Sequence, residues 1–210
     1  MCQFIESIKL LDGQFYRLPF HQVRVDGVFE HFFPSKKAFD LVKILTAENF
    51  PQIGLFKCRI VFNQSIQLIE FVPYTSRKIR SLQLIETQIE PTNFKSVKRE
   101  DINMAFAQKG ICDDVLMLNN GFLSDASYYN IALWNGEKWC TPRIPVIYGT
   151  QRSFLLNLGK IVEKEIRKED ITFYKTIRLF NAMVEFGEIE LDVSEISLAD
   201  TNHSLHPKLN

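Results

Sequence analysis

The run DDVLMLNNGFLSDASYYNIALWNGEKWCTP, residues 113–142, constrains this chain more than any other stretch. Asn-Gly suits the two-residue hairpin turn because both central residues must there take positive φ. The pair occurs twice, at Asn120-Gly121 and Asn135-Gly136, with apolar residues on either side. That spacing predicts three strands joined by tight hairpins, and therefore a sheet built from local connections. Asp125 and Asn130 interrupt the otherwise apolar strands. A carboxylate buried in a sheet is costly unless a cation or an N–H group faces it. These strands are therefore expected to carry a site as well as a core.

The rest of the chain alternates between the two periodicities. IESIKLLDGQFYRL reads as two strands about the turn Asp12-Gly13. From Pro19 to Phe33, the spacing of Phe20, Val23, Val28, Phe29 and Phe32 predicts a helix, weakened by Gly27. Ser35 is placed as the cap of a second helix holding Phe39, Leu41, Val42 and Leu45. KCRIVFNQSIQLIEFVPY alternates like paired strands about residues 63–65. These pieces make a small α+β unit over residues 1–80, ending in the polar crossing VPYTSRKIRS. A second unit, residues 81–210, begins with the strand SLQLIETQI and a helix from Arg99 to Lys109, stopped at Gly110. After the hairpins, Phe154, Leu155, Leu158, Ile161 and Val162 predict a helix beginning behind Gly149. A short helix near 168–174 and the strands KTIRLFNAMV and EIELDV follow, and the tail TNHSLHPKLN reads as frayed. The fold class is mixed, α/β and α+β.

Charge narrows the choice of partners. The 25 basic and 25 acidic residues cancel, so nothing electrostatic points to nucleic acid or an anionic membrane. Cys2, Cys58, Cys112 and Cys140 lie far apart, with no C-x-x-C pair and no histidine at ligand spacing. Free thiols in a reducing compartment are expected, and no metal. Glu6, Lys9 and Asp12 interrupt what a signal peptide would need as an unbroken apolar core, and no apolar run reaches membrane-spanning length. A cytoplasmic protein is expected.

Three further groups of residues can carry chemistry. Gly149-Thr150-Gln151-Arg152 opens a helix, where free amides and the helix dipole favour an anion; a plain helix start is the simpler reading. In NFKSVKRED, Lys95 and Arg99 stand four apart and would share one face of a helix, with Lys98 turned away. A charged run of this kind is usually solvated, but a lysine held beside an arginine and out of water would release its proton more readily. His21 and Arg24 are three apart on the first helix and can point the same way.

Taken in order, H-x-x-R, a lysine, G-F-L-S-D…N, T-P and G-T-Q-R resemble the class IV aminotransferase family of fold-type IV pyridoxal-phosphate enzymes, over roughly residues 4–193. The resemblance implies a D-amino-acid aminotransferase-like fold: a small N-terminal α+β domain and a larger C-terminal mixed-sheet domain. It implies pyridoxal 5'-phosphate as cofactor, with Lys95 as the lysine that carries it and Lys98 as a rival. Asp125 would face the pyridine nitrogen, and Asn130 would shape the strand. Arg24, Gly149, Thr150 and Gln151 would hold the phosphate. It further implies a small-molecule substrate and a homodimer. Asp125 is shorter than the family's usual glutamate, Gln151 replaces a common threonine, and the N-terminal unit is trimmed. Within the family, no tyrosine occurs between Lys95 and Tyr128, K-S-V-K-R has the lysine-x-x-x-arginine spacing of the 4-amino-4-deoxychorismate lyases, and LFNAMV is similar to their late strand. That leans towards lyase chemistry over branched-chain or D-amino-acid transamination, with Arg99 and Asn181 as candidate substrate residues. A non-catalytic relative is the reading from a different class.

Overall fold

In a computed structural model of the chain, residues 2–198 are described; the tail expected to fray lies outside them. The first sheet has the order β2-β1-β3-β4, with β1 at Phe4–Leu11, β2 at Gln14–Phe15, β3 at Leu55–Phe62 and β4 at Ile66–Pro73. Asp12 and Gly13 both take positive φ (47° and 76°), which closes the first hairpin as the sequence predicts. Between β2 and β3 run helices α1 (Leu18–Phe32) and α2 (Leu41–Ala47). Asp40, not Ser35, caps α2, its carboxylate accepting from Lys43 N at 3.0 Å. The helix starts later than its apolar spacing implies because an aspartate there satisfies a first-turn amide.

Alternation decides what each face of this sheet does. Phe4, Ile8 and Leu10 on β1 are buried, as are Cys58, Ile60 and Phe62 on β3, and α1 and α2 contribute Val25, Val28, Phe29, Leu41 and Leu45 to the core. The intervening positions Ile5, Ser7, Lys57 and Arg59 point to the other side, into a cavity. One charged residue sits in the alternation with Phe4, Ile8 and Leu10. Glu6 is 1% exposed and lies on the strand face that α1 covers.

Residues 74–81 carry the chain to the remaining two sheets. One has the order β13-β5-β6-β7, from β5 (Leu82–Thr87), β6 (Asp114–Asn119), β7 (Phe122–Ala126) and β13 (Ile196–Ser197). β5 and β6 are parallel, joined through helix α3 (Glu100–Ala107). Leu84, Leu116 and Leu118 pack inwards towards the other sheet, while Ile85, Val115 and Met117 meet Ile102 and Ala105 of α3. Burial on both faces explains the continuous apolar run in β6. The other sheet has the order β10-β9-β8-β11-β12, from β8 (Asn130–Trp134), β9 (Trp139–Pro142), β10 (Ile161–Lys164), β11 (Thr176–Phe180) and β12 (Ile189–Asp192).

Two sequence expectations change here. The hairpin run contains four strands, not three, because the chain leaves one sheet after Ala126 and enters the other at Asn130. The helix behind Gly149, α4 (Thr150–Asn157), is shorter than its apolar spacing suggests. Gly159 takes φ 64°, which stops it, and Ile161 and Val162 belong to β10, parallel to β9. Among the described residues no helix is long and apolar enough to cross a membrane.

Candidate active site

A cavity of about 710 Å³ lies between the Ser7 face of the first sheet and the strand ends of the other two. Its wall includes Arg24, Lys95, Arg99, Asp125, Gly149 and Thr150. Lys98 is exposed and absent from that wall, so the geometry favours Lys95 between the two lysines.

Lys95 is not on a helix. Residues 91–98 form an irregular segment with isolated bridges at Thr92 and Ser96, and α3 begins only at Glu100, so Lys95 and Arg99 share a cavity without sharing a helix face. The segment is fixed to the free edge of β1: Ile5 N donates to Lys95 O at 2.8 Å and Val97 N to Gln3 O at 3.0 Å. This places Lys95 Nζ 3.2 Å from Ser7 Oγ, to which it donates. Burial, then the nearby Arg24 guanidinium, push the Lys95 amine down to about 7, with Glu6 opposing and Arg99 and Lys57 adding to the depression. A sizeable fraction of the amine is therefore neutral and nucleophilic at neutral pH.

Glu6 organises the opposite wall. Arg24 Nε and Nη2 donate to its two oxygens at 2.7 and 2.6 Å, a bidentate pair, and His21 Nδ1 contacts it as well. Burial favours protonation of Glu6, but Arg24 and His21 overcome this and hold it at about 2. His21 itself is driven down by burial, against the raising effect of Glu6. The pairing fixes the orientation of Arg24 on the cavity wall. His21 Nε2 lies 3.4 Å from Thr150 Oγ1, linking α1 to the tip of α4.

Asp125 on β7 is 4% exposed. Asn130 Nδ2 donates to its Oδ1 at 2.9 Å and Ile147 N to its Oδ2 at 3.0 Å, which supplies the N–H partners expected of a buried carboxylate. Burial nevertheless raises its pKa to about 7, the two donors and Arg152 only moderating the rise. Asn130 also donates to Ile147 O at 2.8 Å and so holds the loop that leads to α4. Its Oδ1 stands where a side chain at residue 149 would begin, so only glycine fits there. Gly149 has φ −72°; close approach, not unusual backbone, is the requirement. No side chain caps α4, which leaves its first amides free for an anion.

The remaining expected residues divide. Gln151 is absent from the cavity wall. Its carboxamide is best oriented to donate to Val184 O and accept from Phe186 N, so only its main-chain amide can serve a ligand at the α4 tip. Arg152 is likewise directed elsewhere, to Pro142 O and Glu163, each at 2.8 Å. Asn181 borders the cavity, but its polar atoms are engaged: Nδ2 donates to Tyr128 O, and Oδ1 accepts from Met183 N and Val184 N. It shapes two loops and has little left for a substrate. Glu6, Ser7 and Ser127 were not singled out as site residues by sequence reasoning. For Glu6 a signal existed, a lone acid in the alternation Phe4, Glu6, Ile8, Leu10 followed by His21 and Arg24. Among the described residues no group of His, Cys, Asp and Glu could hold a metal.

Comparison with known proteins fits this geometry. Residues 57–190 match the sequence profile of the amino-transferase class IV family. An uncharacterised protein of Haemophilus influenzae is 32% identical over 185 residues, 87% of this chain and 98% of its own. The crystal structure of a proposed 4-amino-4-deoxychorismate lyase from Haemophilus somnus is 31% identical with a TM-score of 0.80, covering 88% of this chain and 97% of that one. A proposed aminodeoxychorismate lyase of Schizosaccharomyces pombe is 24% identical over 82% of this chain and 83% of its own.

Proposed function

Since this chain belongs to the class IV aminotransferase family and has the fold-type IV architecture, we propose that it is a pyridoxal-phosphate-dependent lyase converting 4-amino-4-deoxychorismate to 4-aminobenzoate and pyruvate. The observation that carries the reading is that a lysine, Lys95, and a buried acid, Asp125, line the same cavity, where burial lowers the lysine and raises the acid. The residues present suit the cofactor. Lys95 would carry it, Asp125 would face its ring nitrogen, and Arg24 with the amides of Thr150 and Gln151 would hold its phosphate. When bound, the cofactor supplies an electron sink beside the substrate amine.

The chain's own residues then have distinct tasks. Lys95 Nζ, largely desolvated, takes the proton from ring carbon C4 of the substrate. The C–O bond to the enolpyruvyl group breaks with that loss, the ring becomes aromatic, and the departing enolpyruvate takes up one proton at its methylene carbon, balancing the one lost from C4, to become pyruvate. Glu6 keeps Arg24 in place, and Asn130 keeps Asp125 and the α4 tip in register. An anion fixed at one end confines the reacting end to productive orientations. The lyase assignment within the family is supported by the similarity to two proposed lyases and by the K-S-V-K-R spacing.

The test is direct. Purified protein supplied with pyridoxal phosphate and 4-amino-4-deoxychorismate should release 4-aminobenzoate and pyruvate in equal amounts, and Lys95→Ala should release neither. Amino-group transfer to a keto acid without 4-aminobenzoate would reject the lyase in favour of an aminotransferase. Protein that never takes up the cofactor would point to a non-catalytic relative.

A further inference from the structure

The proposed phosphate seat draws on both halves of the chain: Arg24 comes from α1, and the amides of Thr150 and Gln151 from the tip of α4. Its geometry therefore depends on how these two helices are registered. They meet along one seam, where the Phe20 and Phe154 rings pack edge-on at 5.6 Å and His21 Nε2 lies 3.4 Å from Thr150 Oγ1. Beside the seam stands Arg17, the residue before α1, whose carbonyl accepts from Phe20 N and His21 N. Arg17 takes φ 56°, a left-handed conformation that few residues other than glycine adopt without cost. Its side chain is fastened to the other half of the chain. Nη1 and Nη2 donate to the two oxygens of Glu185 at 3.0 and 2.8 Å, Nη2 also donates to Ala182 O at 3.0 Å, and the guanidinium lies 5.9 Å from the Phe154 ring centre.

Glu185 gathers a second cation, Lys9 of β1, at 2.9 Å, and the side chains of Lys9 and Arg17 are both nearly buried. Burial alone would raise the Glu185 carboxyl, but the bonds from Arg17 and Lys9 outweigh it and hold the group below its ordinary value. The segment that carries Glu185 joins β11 to β12. It also grips the Gln151 carboxamide through Val184 O and Phe186 N, and it puts Asn181, Ala182 and Met183 on the cavity wall. One carboxylate thus bears on β1, on the start of α1 and on the loop that holds the tip of α4. We propose that Glu185 is a positioning residue that registers Arg24 against the α4 tip, with Arg17 and Lys9 as its grips on the N-terminal half. Glu185 itself is off the cavity wall. The inference rests on the cofactor reading of the seat and adds the device that keeps its two parts at a fixed spacing. Removing one partner of a largely buried ion pair leaves the other charge uncompensated, so loss of Glu185 is felt directly at Arg17. A phosphate needs both parts of the seat at once, whereas a ligand without phosphate does not.

The probes are pyridoxal phosphate, pyridoxal (which lacks the phosphate) and inorganic phosphate, titrated into the full chain after any bound cofactor is removed. Absorbance follows the first two and calorimetry the third. Glu185→Gln should weaken pyridoxal phosphate and inorganic phosphate by about tenfold each and leave pyridoxal within about twofold of the parent. Arg17→Lys keeps the charge but loses the two-pronged contact, so it should show a smaller loss of the same kind. That variant keeps the test decisive if Glu185→Gln folds poorly. Arg17→Met combined with Glu185→Gln should cost little more than either alone, because both break one contact. Arg143→Gln, which breaks the exposed pair with Glu165, should change nothing. Pyridoxal lost in step with pyridoxal phosphate would mean general loosening and overturn the register, as would strictly additive losses. A parent that takes up pyridoxal phosphate, with Glu185→Gln holding it as tightly, would sink the register alone. A parent that binds inorganic phosphate in a Glu185-dependent way but takes up neither pyridoxal compound would reject the cofactor and leave the register standing. A parent that binds no phosphate in either form would overturn both.

Discussion

Lys95 differs from the exposed Lys98 three positions later only in what surrounds its amine. Burial and the Arg24 charge bring Lys95 to about 7, so its neutral form accumulates as pH rises through that value. An ordinary lysine gains its neutral form only near 10.4. Borohydride reduction in the presence of pyridoxal phosphate, with the modified lysine mapped by mass spectrometry, should therefore label residue 95 with a midpoint near pH 7 and leave residue 98 almost untouched. A label that spreads evenly over the two, or that rises only in strong alkali, would contradict the environment described. At this scale the sequence was partly legible. Lys95, Asp125 and Gly149 could be placed by the order of short motifs. Glu6 left only an indirect trace, a lone acid in an apolar alternation, because its partners Arg24 and His21 are identified only once that strand face meets α1. Gln151 and Asn181 show the converse: each stands at the expected position, yet its side chain is committed to main-chain partners.

At the scale of elements, the contact between β8 and the tip of α4 is the tightest constraint on the site. Asn130 on β8 reaches Asp125 on β7 and Ile147 in the loop before α4, and its carboxamide oxygen occupies the space beside Gly149. Gly149→Ala should force the α4 tip and Asn130 apart, at about 1–3 kcal/mol as for other overpacked sites. Phosphate-dependent cofactor affinity should fall with it, by about tenfold or more. The collision has one identifiable partner, so Gly149→Ala combined with Asn130→Ser should recover part of the lost stability. A double-mutant cycle by chemical denaturation measures the coupling, and strictly additive losses would show that the two residues do not collide. The elements themselves were largely readable, since hairpin turns and apolar periods are local. Continuity was not. Four strands read as three because Ser127–Tyr129 carries the switch between sheets without a glycine or proline to mark it. Apolar spacing extends the helix from Thr150 to Val162 because Ile161 and Val162 fall at helical positions, whereas Gly159 ends it and β9 captures both residues as a parallel strand.

For the whole molecule, the two groups proposed to meet the cofactor influence stability without it, in opposite pH ranges. Asp125 is raised from 3.8 to about 7, so the folded chain holds its proton longer than the unfolded chain. Its contribution is fully present below the unfolded value and is lost as pH rises through 7. Lys95 is lowered from 10.5 to about 7, so its contribution is fully present above 10.5 and is lost as pH falls through 7. Both losses are felt most near neutrality, where an unloaded cavity holds a buried acid and a buried amine at their least favourable. Glu6, depressed to about 2, contributes throughout this range and fails only in strong acid, so it does not mask the effect. Thermal unfolding of the cofactor-free protein across pH should therefore differ from that of its variants in a defined way. Asp125→Asn should remove the fall in stability between about pH 4 and 7, and Lys95→Met the rise between about pH 7 and 10. Pyridoxal phosphate should raise the melting temperature most near neutral pH, since it binds the folded chain through the two groups that weaken it there. Variants whose pH profiles run parallel to the parent would mean that neither side chain is desolvated as described, and the shared cavity would lose its claim to be a cofactor site.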